Sequence, residues 1–165
     1  MKELNIVSLN SRSPYPVEKR TVCDYVFKTE FGVVCVVNFM DDYSVWEEGA
    51  YQLIIGNETH KKSPNDPKLR DTIICIIEAF FEENPDILLY VCETGDGKET
   101  MRNRLFLRWL KDYVRKDLFF VEHIEIETEG VANFAAIIVQ KANPQLDSIV
   151  DDFHSAMEEL RKPDS

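Results

Sequence analysis

The residues best suited to chemistry lie in one stretch, 86–116, DILLYVCETGDGKETMRNRLFLRWLKDYVRK. Cys92 closes a short apolar run and stands before a glycine turn, which is a setting for a nucleophilic thiolate. A phosphate-cleaving loop built on it would need an Arg six residues on and free backbone N–H groups between. Lys98 stands there instead, and Glu93 and Asp96 put carboxylates where an anion would have to sit. A Walker-type loop fails too, since the first glycine is missing at its spacing and Glu99 replaces the Mg²⁺-binding Ser or Thr. Cys92 reads as a small buried thiol.

Arg102 is the second unusual residue. At about 100° per residue, Met101, Leu105, Phe106, Trp109, Leu110 and Tyr113 share one broad helical face, and Arg102 falls within it. Its guanidinium must snorkel out along its stem, pair with a carboxylate such as Asp96, Glu93 or Asp24, or hold a ligand, because an unpaired buried charge costs several kcal/mol. Tyr90, Cys92, Glu93, Asp96 and Arg102 thus form the candidate binding cluster. Arg104, Arg108, Lys111 and Arg115 recur at i, i+4, i+7 and i+11 opposite the apolar face, a basic ridge that would face a protein partner or a second copy of this chain.

The elements that must position these residues are legible from period and punctuation. Ile87 to Val91 reads as a strand covered on both faces. Asp96 as N-cap with Glu99 three residues on starts a helix over 97–116. Upstream, residues 2–9 alternate weakly as an edge strand, and 11–20, with Pro14 and Pro16, form a loop. Strands follow at 21–30, 31–40 and 50–56, the middle one carrying the unbroken run from Val33 to Val37. An acidic loop with Trp46 spans 41–49. Asp66 and Pro67 open a helix over 66–84, apolar through Leu69, Ile73, Ile74, Ile76, Ile77, Phe80 and Phe81, and Asn84-Pro85 ends it. A strand over 118–129 has Leu118, Phe120, Ile124 and Ile126 inward, with His123, Glu125, Glu127 and Glu129 outward. A strand at 133–140 follows. The last helix carries Leu146, Ile149, Val150, Phe153, Met157 and Leu160 on one stripe.

The order is β-β-β-α-β-α-β-β-α, an α+β fold on a mostly antiparallel mixed sheet, with one parallel step across the 66–84 helix. At 165 residues the chain reads as a single domain, with 1–20 as edge strand plus loop and 162–165 as a flexible tail. Its net charge of −11 argues against a nucleic-acid binder. No apolar run is long enough for a membrane span, and no signal peptide opens the chain. Cys23, Cys35, Cys75 and Cys92 lack metal-ligand spacing and sit in apolar segments, as in a reduced cytoplasmic protein. Neither metal nor cofactor is called for.

The pattern Tyr90-x-Cys92, Asp96-Gly97-Lys98 and Arg102-Asn103-Arg104-Leu105-Phe106-x-x-Trp109, with Tyr25, Phe27 and Thr29 upstream, resembles a family of uncharacterised small proteins of Bacteroidetes-type bacteria. The resemblance runs from Tyr25 to Gln140 and implies a cytoplasmic bacterial protein without bringing a function. The element order also resembles the later two-thirds of the N-acetyltransferase fold, where a glycine-rich loop cradles the cofactor's pyrophosphate. GNETHKKSPNDPKLR has no such loop. Of that family's Asn, Ala and Tyr, only Asn103 is matched, with Phe106 and Leu110 at the other positions. Two functions follow: a non-enzymatic module that binds a partner or ligand through the helix face or the acidic loop, and a divergent transferase that binds acyl-CoA or nucleotide near Cys92 and Arg102. The missing loop and missing acid favour the first.

Overall fold

A computed structural model describes residues 1–93, 97–128 and 130–161, the side chains at 92–93, 97–104, 126, 128, 131–132 and 161 excepted. Helix α1 is Ile6–Asn10, followed by strands β1 (Glu18–Lys19), β2 (Asp24–Lys28), β3 (Val34–Asp42) and β4 (Ala50–Asn57). Then come α2 (Pro67–Glu83), β5 (Leu88–Glu93), α3 (Gly97–Tyr113), β6 (Phe119–Thr128), β7 (Val131–Gln140) and α4 (Leu146–Arg161). The fold is α+β, on a mixed seven-stranded sheet of order β1-β2-β3-β4-β5-β7-β6. β4 and β5 pair in parallel at Tyr51–Leu88 and Gln52–Leu89, which is the step expected across α2. Contacts gather into two compact units: Met1–Met40 with Leu53–Pro85, and Asp41–Gln52 with Asp86–Ser165. Among the described residues no helix is long and apolar enough to cross a membrane.

In the first unit β2 pairs antiparallel with β1 and β3. α2 buries Ile73, Ile74, Ile76, Ile77, Ala79, Phe80 and Phe81, and Phe80 stacks on Phe39 of β3 at 4.8 Å. The N-terminal segment departs from expectation. Residues 2–9 hold no strand; Asn5 caps α1 by accepting from the Ser8 amide, while Leu4 and Leu9 are buried. A polar side chain can close a short turn there as cheaply as a strand could pair. The edge strand is Glu18–Lys19 instead.

This N-terminal segment is held by buried side chains bonding to backbone. Asn84 accepts from the Lys2 amide (2.8 Å) and donates to the Lys2 and Phe80 carbonyls (3.1 and 3.2 Å). The Tyr25 hydroxyl accepts from Leu4 N and donates to Val22 O, both at 2.8 Å. The tyrosine of the Tyr25-x-Phe27-x-Thr29 pattern is thus a pin. Phe27 stacks on Tyr15, and the Thr29 hydroxyl accepts from the amides of Phe31 and Val33.

In the second unit β7 lies between β5 and β6, antiparallel to both. Side chains alternate across a strand, so β5 and β7 each feed two layers. Leu89 and Ile137 are opposite each other and join Ile87, Val139, Trp46 and the α4 residues Ile149, Phe153 and Met157 in one cluster. Tyr90, opposite Ala136, turns the other way and meets Phe106 of α3, ring centroids 4.5 Å apart. Two expected inward residues prove exposed. Leu160 lies beyond the last contact of α4, and Leu118 precedes β6, where Phe119 is buried instead.

Asn84→Ala should lower stability by about 2–4 kcal/mol in urea melts, because a buried network loses three bonds at once. Val7→Ala, at an exposed position, should stay within about 0.5 kcal/mol of wild type. Equal melts for the two variants would remove Asn84 as a pin.

Candidate functional site

Of the expected binding cluster, Cys92, Glu93, Asp96 and Arg102 have side chains outside the described residues, as does Arg104 of the ridge. Tyr90 is described, and it is a packing residue against Phe106. The face on which the Arg102 expectation was built is turned relative to the one observed. Phe106, Leu107, Leu110 and Val114 are buried, whereas Leu105 and Tyr113 are 42% and 49% exposed. The reason is the breadth of the apolar arc. Residues 105 to 114 offer more apolar area than one sheet face can cover, and the rings of Tyr90 and Phe106 choose which part is taken.

The described helix α3 therefore has three faces. Phe106, Leu107, Leu110 and Val114 hold it to the sheet. Leu105, Trp109 and Tyr113, at i, i+4 and i+8, form an apolar stripe left wholly or partly in solvent. Arg108 and Lys111 are exposed on the remaining side; α3 ends at Tyr113 rather than at 116, so Arg115 is exposed just past it, in an ion pair to Asp117 at 3.0 Å. Asp112 is the one acid exposed among them between 105 and 116. Three basic side chains beside an aliphatic and two aromatic ones can supply both charge attraction and desolvated area.

The other places singled out by sequence are structurally engaged. In loop 41–49 Asp42 accepts from the amide and hydroxyl of Ser44 (2.8 and 2.5 Å). Trp46 is buried in the α4 cluster, and its Nε1 finds no acceptor. Gly49 (φ +90°) lets the Tyr43 ring close over the loop; a Cβ there would stand 2.7 Å from the ring. His123, Glu125 and Glu127 lie exposed on β6, and no group of three or more His, Cys, Asp or Glu among the described residues could hold a metal ion.

The start of α2 is filled. Asp66 is buried, with Oδ1 accepting from Lys68 N at 3.0 Å and Oδ2 accepting from the Tyr15 hydroxyl at 2.8 Å. Pro67 supplies no N–H. Burial, and then the bond to Asp66, hold the Tyr15 phenol above its ordinary pKa. A carboxylate already takes the positive end of this helix dipole.

Cys23, Cys35 and Cys75 are free thiols. Burial pushes the Cys35 thiol up to about 12, which leaves almost no thiolate at neutral pH.

The chain belongs to a family of unknown function, DUF6169, which matches residues 65–155. That span runs from the start of α2 into α4 and contains the whole strand–turn–helix stretch, while Tyr25, Phe27 and Thr29 lie before it. No curated protein and no solved structure matches the chain.

Native protein treated with a thiol reagent at neutral pH should leave Cys35 unmodified until urea is added. The linkage is also readable at alkaline pH. Cys35 ionises from 9.0 when unfolded but near 12 when folded, so its contribution to stability is intact below pH 9 and is lost as pH rises toward 12. Cys35→Ala should flatten that slope. Rapid labelling of Cys35 in the native state would contradict its burial.

Proposed function

We propose that this protein works by docking an acidic protein partner on the outer side of α3, without catalysing a reaction. The observation that carries this reading is the exposure of Arg108 and Lys111 beside Leu105, Trp109 and Tyr113 on α3, with Arg115 exposed just past its end. Magnitudes divide the labour between the two stripes. Exposed ion pairs contribute roughly 0.2–1 kcal/mol each, so the ridge would mainly steer and orient. Burial of the apolar stripe at about 25 cal/mol per Å² would supply most of the affinity, as the aromatic anchors of interfaces do. The net charge of −11 favours a protein surface over nucleic acid, since the field of the whole chain repels a polyanion before it reaches the ridge.

A second reading, a divergent transferase binding acyl-CoA or nucleotide, draws on the strand order and on the parallel step from β4 to β5. The capped start of α2 speaks against it, because Asp66 and Pro67 occupy the place where phosphate would be bound. Calorimetric titration with acetyl-CoA should show no heat of binding. Micromolar binding that is abolished by a change within residues 57–66 would restore the transferase.

The docking reading is tested with a fluorescein-labelled peptide of glutamates carrying leucine at every fourth place. Anisotropy should rise with wild-type protein at low salt and fall back at high salt. Arg108→Glu with Arg115→Glu should weaken binding roughly tenfold or more, a loss of about 1.4 kcal/mol. Equal binding by wild type and variant would sink the reading, and tighter binding of a labelled single-stranded DNA would replace the protein partner with nucleic acid.

A further inference from the structure

We infer that the acidic partner of the α3 ridge is the outer face of α4 on a second copy of this chain. The inference rests on the docking reading above, and it is carried by a segregation of charge between the two helices of the second unit. α3 and α4 cover opposite faces of the same three strands. Tyr90 of β5 turns to Phe106 of α3, while its neighbour Leu89 turns to the cluster that holds Ile149, Phe153 and Met157 of α4. Each helix thus presents its outer side to solvent in opposite directions.

Their signs are opposite as well. Asp147, Asp151, Asp152, Glu158 and Glu159 are all exposed on α4, and no Lys or Arg occurs from 146 to 160. Asp147, Asp151 and Glu158 fall on one stripe about 40° wide, its centre about 140° round the helix from the buried Phe153. His154 lies beside them and is engaged with Glu122 at 2.9 Å. Arg108 and Lys111 stand at i and i+3 on α3 with Arg115 just past its end, and the acidic stripe runs at i, i+4 and i+11, so the two laid side by side bring opposite charges together over about two turns.

Isolated, each face works against its own helix. Asp147 and Asp151 are like charges at i, i+4, and Arg108 and Lys111 are like charges at i, i+3. Glu158 and Glu159 stand in the last turn, where the helix dipole disfavours negative charge. A cationic partner on α4 and an anionic one on α3 would relieve both. Because the two surfaces are different and face apart, the contact is heterologous and adds copies head to tail.

Neutralising variants give the test. The full chain should sediment faster as concentration rises at low salt, and as a monomer at high salt. Arg108→Gln, Lys111→Gln, Arg115→Gln in one protein, and Asp147→Asn, Asp151→Asn, Glu158→Gln in another, should each remain monomeric at low salt. Mixed, the two should form a 1:1 dimer that grows no further, since the pair has one intact ridge and one intact acidic face. A wild-type chain that stays monomeric at low salt while still binding the glutamate peptide would overturn the second-copy partner and leave the docking reading standing. Loss of both would remove both. Self-association unchanged in either variant would place the interface elsewhere. Circular dichroism of each variant, expected to match wild type, keeps misfolding from passing as loss of contact.

Discussion

The second unit depends on one constraint: β5 and β7 are buried on both faces, so each must offer apolar side chains at odd and even positions alike. Ile87 and Leu89 with Ile137 and Val139 satisfy one layer, and Leu88 and Tyr90 with Ala136 and Ile138, all buried, line the other. Neither helix could be dispensed with, because a two-sided apolar strand left open on one face would expose a large patch and invite aggregation. The alternation therefore places α3 and α4 on opposite sides before any of their own residues are considered. What those residues decide is which arc of each helix is spent on the sheet and which faces solvent.

The first unit is held on a different principle. Its N-terminal segment has little regular structure with which to satisfy its backbone, and buried N–H and C=O groups must find partners. Asn84 and Tyr25 provide them from the sheet and from the end of α2, and Tyr15 ties the segment to the other end of that helix through Asp66 and Thr72. Burial of Asn84, Asp66 and Thr72 costs little because each is bonded. Such residues resist substitution for structural reasons. Buried and polar, they would also draw the eye of anyone looking for a catalytic group.

Long elements were legible in the sequence because their signals are summed over many residues. The apolar run of α2, its Asp66-Pro67 start, the apolar strand at 87–91, buried through Tyr90 but exposed at Val91, and the alternation of β6 all have strong period or punctuation, and the α+β class followed from their order. The failures are local. The helix at Ile6–Asn10 is too short to carry a period, and its only mark is the cap at Asn5. On α3, Leu107 and Val114 were passed over in favour of Leu105 and Tyr113 because periodicity finds an apolar arc without saying which part of a wide arc meets a partner. That choice is made by Tyr90, from another strand. The basic ridge was legible because charges at helical spacing opposite an apolar arc stay exposed when the arc turns by a few tens of degrees. The acidic face of α4 drew no notice in a chain rich in carboxylates, since sign segregation becomes visible only when two helices are known to back onto one sheet.

The start of α2 is closed to anions by its own cap. A helix N-terminus binds phosphate only while its first amides are free and its field unopposed. Asp66 takes the amide of Lys68, Pro67 has none to give, and a carboxylate buried at that point is repulsive to any anion. These are also the features that make α2 start cleanly and anchor Tyr15. A single residue cannot both close a helix end for stability and leave it open for a ligand, and here Asp66 has been committed to closure. Closure of this helix start for stability and openness to an anion are thus exclusive at Asp66.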